Sequence, residues 1–145
     1  MKMYILTLLI ASLTTCNAQR TIETIKFTTG SRGWNNSVII NKDSVFVNNV
    51  RRMQPASTTI KNVKTSKKNW ESLLVLLKKI DVEKIAELSH KSKGSEVDAA
   101  AISRITIVAD KKEYSHSFDN YSPNESLEKL LTEIKRINDE ILKDK

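Results

Sequence analysis

The part of the sequence that decides the fold spans residues 99–141 and reads AAAISRITIVADKKEYSHSFDNYSPNESLEKLLTEIKRINDEI. It begins with a strand pattern of period two, whose apolar face holds Ala101, Ser103, Ile105 and Ile107. Turn residues 110–113 lead into a second strand at 114–118. The period then becomes helical, with apolar positions at Leu127, Leu130, Ile134, Ile137 and Ile141. A strand pair followed by an amphipathic helix predicts a helix packed against an antiparallel sheet.

Three start signals precede this last helix, at Ser122, Pro123 and Glu125. A serine can accept a hydrogen bond as the N-cap, a proline suits the first helical position, and the glutamate can complete a capping box. Fewer than three heptads follow. We therefore expect a single helix lying on a sheet rather than a coiled coil.

The preceding half of the chain is dominated by strand patterns. Four are predicted, at residues 22–29, 38–40, 44–47 and 58–65, and Gly30 and Gly33 are expected to break the first one. Helical spacing follows at 67–80, and Asp81 can cap a short second helix. The sequence therefore predicts one α+β domain over residues 19–145. We expect an antiparallel sheet of about five to six strands with two to three helices packed on one face.

Composition limits the chemistry of this domain. The chain has 145 residues, a net charge of +7, one cysteine and two histidines. The cysteine, Cys16, lies in the N-terminal segment before residue 19, so the domain offers no thiol for catalysis, disulfides or metal binding. Metal-binding histidine spacings are also missing. We predict no cofactor, no metal site and no catalytic residue, and we favour a non-enzymatic protein over an enzyme.

The N-terminus has the pattern of an export signal. Lys2 precedes an apolar run over residues 3–13, which is shorter than the roughly 20 residues that a membrane-spanning helix needs. Residues 13–16 resemble a lipobox, in which a leucine stands three positions before an acceptor cysteine. This resemblance implies cleavage after residue 15, with Cys16 as the lipidated first residue. Cleavage after Ala18 would instead give plain secretion. The signal peptide is thus residues 1–18, or 1–15 in a lipoprotein.

The residues Cys16, Asn17, Ala18 and Gln19 resemble the signal ends of small exported lipoproteins of Bacteroidota. The resemblance is confined to this region, where Thr15 departs from the small residue usual before the cysteine. It implies lipidation at Cys16 and attachment to the membrane by a lipid anchor. The expected location is the cell envelope, at the outer membrane or in the periplasm, with secretion as the alternative.

Charge is distributed unevenly along the chain. Residues 20–93 hold fifteen basic and six acidic side chains, whereas residues 94–145 hold eight basic and eleven acidic ones. No acidic residue occurs between Ser44 and Asn69. Such a segment creates a positive potential that attracts anionic groups. The predicted binding residues are this segment's basic side chains and one nearby tryptophan: Trp34, Arg51, Arg52, Lys61, Lys64, Lys67 and Lys68.

The charge pattern suggests a binding module of the envelope. The expected partner is another envelope protein or an anionic lipid or glycan surface, and the export signal argues against nucleic acid. The alternative function is a small secreted or periplasmic hydrolase that uses His116 or His90 with nearby carboxylates. However, Ser115 and His116 are neighbours on a strand and point to opposite faces, which favours a structural role.

Overall fold

The computed structural model describes residues 20–89 and 100–143. They form six strands, two α-helices and one 3-10 helix. In chain order these are β1 (Ile22–Ser31), β2 (Trp34–Asn41), β3 (Ser44–Arg51), β4 (Ser57–Lys64), α1 (Lys67–Leu77), the 3-10 helix (Val82–Glu87), β5 (Ile102–Ala109), β6 (Lys112–Asp119) and α2 (Glu125–Lys143).

The strands form a single antiparallel sheet in the order β4-β3-β2-β1-β5-β6. Strands β1 to β4 are a meander in which each strand pairs with the next along the chain. The segment holding α1 and the 3-10 helix then leads to β5, which pairs with β1. The predicted α+β fold, with a sheet of five to six strands and helices, is confirmed.

The two faces of the sheet differ in burial. One face is covered by the helices and joins them in the core, for example through Ile25, Phe27 and Ile134. We call it the helix-covered face and the other the helix-free face. The period-two prediction for β5 is confirmed, because Ile105 is 0% exposed whereas Ile102 is 66% exposed. Alternation along the strands therefore decides which side chains enter the core.

The helices begin where short polar side chains cap them. The Ser66 hydroxyl accepts a hydrogen bond from the Asn69 backbone N–H and caps α1. Helix α2 begins at Glu125, later than the predicted start after Ser122. Asn124 caps it instead, because its Oδ1 accepts the Ser126 N–H at 3.1 Å. The Ser122 N–H donates to Asp119 O in a turn, so it does not donate to the Glu125 side chain as a capping box requires. The predicted capping box was therefore wrong.

The glycines near the first turn act differently from the prediction. Strand β1 continues through Gly30 to Ser31, and the turn contains only Arg32 and Gly33. A Cβ atom on Gly30 would lie 2.8 Å from the Trp34 carbonyl oxygen. Gly30 therefore allows a close approach of the two strands rather than ending the first one. The predicted second short helix is a 3-10 helix, and Asp81 makes no side-chain cap.

A polar network joins α1 to α2. Arg136 Nη2 donates to Asn69 Oδ1 at 2.7 Å and to Glu133 Oε1 at 2.8 Å, and Arg136 Nε donates to Glu133 Oε2 at 2.9 Å. The Ser72 hydroxyl also donates to Glu133. These hydrogen bonds lower the pKa of Glu133, chiefly through Arg136. Among residues 20–89 and 100–143, no helix has both the length and the apolar character that are needed to cross a membrane.

Candidate functional site: the basic hairpin

The predicted basic residues lie on and beside the hairpin of β3 and β4, which we call the basic hairpin. Arg51 and Arg52 lie where β3 ends, whereas Lys64 ends β4 at the opposite end of the hairpin. Eight residues of strand separate these positions by roughly 25 Å. The structure therefore divides the predicted set into an arginine end (Trp34, Arg51 and Arg52) and a lysine end (Lys64, Lys67 and Lys68), with Lys61 between them.

The arginine end is built by two adjoining turns. Trp34 begins β2 directly opposite Arg51, and the Arg52 backbone N–H donates to Gly33 O at 2.8 Å. Trp34 is half-buried. Met53 is 69% exposed and lies over Gly33, where an added Cβ would be 2.6 Å from its sulfur. Trp34, Met53 and the two arginines therefore lie at the same end of the sheet.

The charges of the arginine end are not neutralised by neighbours. Arg51 and Arg52 are exposed, and neither forms an ion pair with any residue in the described ranges. A guanidinium group presents five N–H donors in a planar fork that fits a carboxylate or phosphate. This end of the hairpin is therefore a cationic surface with unused donors.

The lysine end is partly compensated. Lys67 Nζ lies 3.7 Å from Glu71 Oε1, although both side chains are largely exposed. Arg136 is the main cause of the lowered pKa of the Glu133 carboxyl, and the positive charge of Lys68 adds a smaller effect in the same direction. Lys64 is exposed at the last position of β4. Unlike the arginine end, this end has carboxylates close to two of its three lysines.

Lys61 has a structural contact that the sequence did not reveal. Its side chain is half-buried on the helix-covered face, and its Nζ donates to Ile141 O at 2.8 Å. A cation at the C-terminal turn of a helix satisfies a free carbonyl and interacts favourably with the helix dipole. Lys61 therefore fastens α2 to β4, and any binding test should leave it unchanged.

Met53 is the residue of the arginine end that the sequence analysis missed. Met53 belongs to no repeating apolar pattern in the sequence, because it lies in the loop after β3. Its position directly after Arg51 and Arg52 was the available signal, because Met and Arg are both enriched in protein interfaces.

His116 does not lie in a site open to substrate. It is 4% exposed on the helix-covered face, and its ring stacks on Phe118 with centroids 5.8 Å apart. The predicted shared face of His116 and Phe118 is therefore confirmed. This burial supports packing rather than hydrolysis as the role of His116. His90, the other histidine of the hydrolase alternative, lies outside the described residues, as does Cys16.

The remaining surface offers little chemistry. A groove of about 670 Å³ lies beside the start of α2, and its described lining includes Tyr121, Glu128 and Lys135 but no histidine. Within residues 20–89 and 100–143, no three His, Cys, Asp or Glu side chains are grouped to hold a metal ion. The basic hairpin thus remains the best-defined candidate site. Comparisons with known proteins give no match to a family model, a curated protein or a solved structure.

Proposed function

We propose that this chain is a small exported envelope protein, anchored as a lipoprotein through Cys16, whose domain is a non-enzymatic binding module. The export signal of residues 1–18 supports the location. The arginine end of the basic hairpin supports the binding role. It carries the proposal because two exposed arginines without ion-pair partners in the described ranges stand beside a tryptophan and a methionine.

The chemistry of this surface fits an acidic envelope protein better than a lipid or glycan surface. Guanidinium groups bind carboxylates in bidentate geometry, and Trp and Met supply apolar contact area. Between the two charged ends, the hairpin exposes Ile60 and Val63, which offer nothing to an anionic headgroup. A polypeptide can satisfy both the charges and the apolar side chains. Binding that depends on these charges should weaken as salt is raised.

Reversing the charge of the arginine end should reduce partner binding by at least about tenfold, because each arginine becomes a repelling carboxylate. The variant is Arg51→Glu with Arg52→Glu. The measurement is quantitative affinity capture from the native envelope by the full chain, with captured proteins compared by mass spectrometry. Lys78→Glu with Lys79→Glu is the matched control, because it changes the net charge equally at two exposed residues beyond α1.

The control variant should capture the partner as the wild type does. Equal capture by the wild type and the Arg51 and Arg52 variant would contradict the proposed site. Vesicles of phosphatidylglycerol provide the second arm of the experiment. If the arginines were required for binding these vesicles but not for protein capture, the partner would be the membrane surface instead.

The lipid anchor gives a separate prediction. We expect radiolabelled palmitate to enter the wild-type chain and to be absent after Cys16→Ala, because only the cysteine thiol can form the thioether of a lipoprotein. Asn17→Ala is the control and should retain the label. A soluble exported protein that begins at Gln19 would refute the anchor while leaving the binding role to be judged by the charge-reversal experiment.

A further inference from the structure

The outer edge of β4 is available for pairing. In the described part of the chain β4 pairs only with β3, and it is the last strand on its side of the sheet. Seven of its eight residues are exposed, and Lys61 is the half-buried one. An exposed edge of this kind presents unpaired N–H and C=O groups to another chain.

The register shows which backbone groups face outward. The Thr65 N–H donates to Asp43 O at 3.1 Å, and these residues directly extend the β3–β4 register. In an antiparallel ladder, hydrogen-bonded pairs alternate with non-bonded pairs, so the odd-numbered residues of β4 bond to β3. The outward N–H and C=O groups therefore belong to the even-numbered residues: Thr58, Ile60, Asn62 and Lys64.

The side chains along this edge have a definite pattern. Cations lie at both ends, with Arg51 and Arg52 beside the start of β4, and Lys64 followed by Lys67 at its end. Near the middle, Ile60 is 60% exposed. An added strand would meet positive charge at its two ends and an apolar side chain near its centre.

We propose that β4 binds an extended acidic peptide segment of the partner as a seventh strand of the sheet. This inference rests on the proposed function and names the form in which the partner binds. Backbone hydrogen bonds to β4 hold the segment, as in other strand additions to a sheet edge. Carboxylates at its ends contact the arginine and lysine ends, and an apolar side chain near its centre packs against Ile60.

A second copy of this chain fits the same edge less well. Pairing β4 with β4 of another copy would bring two strands together that each carry Lys61 and Lys64 and no acidic residue. Like charges opposite each other destabilise strand pairs. Charge complementarity therefore selects an acidic segment.

The probe is a synthetic nine-residue peptide with two glutamates at each end, a central valine and threonine elsewhere. We expect the full chain to bind this peptide in fluorescence anisotropy. A peptide with lysine in place of glutamate should bind at least about tenfold more weakly, because its ends meet like charges. A peptide of the original sequence with all its backbone amide nitrogens methylated should also lose binding at least about tenfold, since it has no N–H left to form the ladder.

Asn62→Pro tests the edge from the protein side. It removes one outward N–H and leaves the ladder to β3 intact, because proline is tolerated on edge strands where the N–H faces solvent. We expect at least about a tenfold loss of peptide binding. The matched control is Asn62→Ala, which keeps the N–H and should bind as the wild type does. A proline at Lys84 would not serve, because Lys84 lies in the 3-10 helix rather than on an edge strand.

The outcomes separate the two proposals. If charge reversal at Arg51 and Arg52 weakens capture of the partner but backbone methylation and Asn62→Pro have no effect on peptide binding, strand addition is wrong and the basic surface stands. If charge reversal has no effect either, the proposed function fails as well. A dimer in sedimentation velocity that Asn62→Pro abolishes would assign the edge to a second copy and overturn the inference. The methylated peptide keeps the test valid even if Asn62→Pro does not fold.

Discussion

Replacing Ile105 by alanine should lower the free energy of unfolding by about 2–5 kcal/mol. Ile105 is 0% exposed and lies between two strands, opposite Phe27 on β1 and His116 on β6. Neighbours held in two strands cannot move far to fill the space of the lost side chain, so a cavity remains. Urea unfolding followed by circular dichroism gives the measurement.

Ile102→Ala is the matched control, because it makes the same change on the same strand. Ile102 is 66% exposed on the helix-free face, so its removal should change the free energy of unfolding by less than about 0.5 kcal/mol. Equal losses at the two positions would show that the assignment of the faces of β5 is wrong.

Replacing Arg136 by alanine should cost about 2 kcal/mol of stability. The change removes the donor to Asn69, a buried residue of α1, and leaves the carboxylate of Glu133 with the Ser72 hydroxyl. Arg136 is 47% exposed, so solvent screening keeps the loss below that of a fully buried pair. Arg104→Ala is the control, because within the described residues the Arg104 side chain donates only to the Ser117 hydroxyl, at the exposed face.

The pH dependence of this network has a definite sign. Arg136 holds the pKa of Glu133 below the 4.5 of a free glutamate, so the ionised network stabilises the fold fully above that pH. The contribution falls as the pH drops below 4.5 and through the lowered pKa of the folded state. We therefore expect the stability difference between the wild type and Glu133→Gln to be largest near neutral pH and to shrink in acid. A constant difference from pH 7 to pH 3 would contradict this role.

Local pattern predicted that the strands and both α-helices exist, and it predicted the buried faces of β5 and α2. The alternation around Ile105 placed the core face of β5 correctly, and the spacing of Leu130 and Ile134 predicted a helix that covers the sheet. These signals work because burial is decided side chain by side chain along one element. The start of α2 could not be predicted from local pattern, since Ser122 and Asn124 are both good caps and the adjoining turn selects between them.

Contacts between distant parts of the chain could not be predicted in this way. Lys61 was grouped with the binding residues because its neighbours are basic, yet it donates to Ile141 O across the fold. The hydrogen bond from Arg136 to Asn69 is equally invisible in the sequence. Likewise, the position of β4 at the edge depends on the order of the strands, which no local period encodes.

The pairing of β1 sets an order for folding. On one side, β1 pairs with β2 through a two-residue turn. On the other side, Ile25 pairs with Ile107 on β5, which is synthesised only after most of the chain. Contacts between residues far apart in sequence form slowly because a long loop must close first. The meander β1 to β4 can assemble early, but its core face stays uncovered until β5, β6 and α2 arrive. Until then the nascent protein exposes an apolar sheet face. Such a surface is prone to aggregation unless chaperones keep it from contact with other chains.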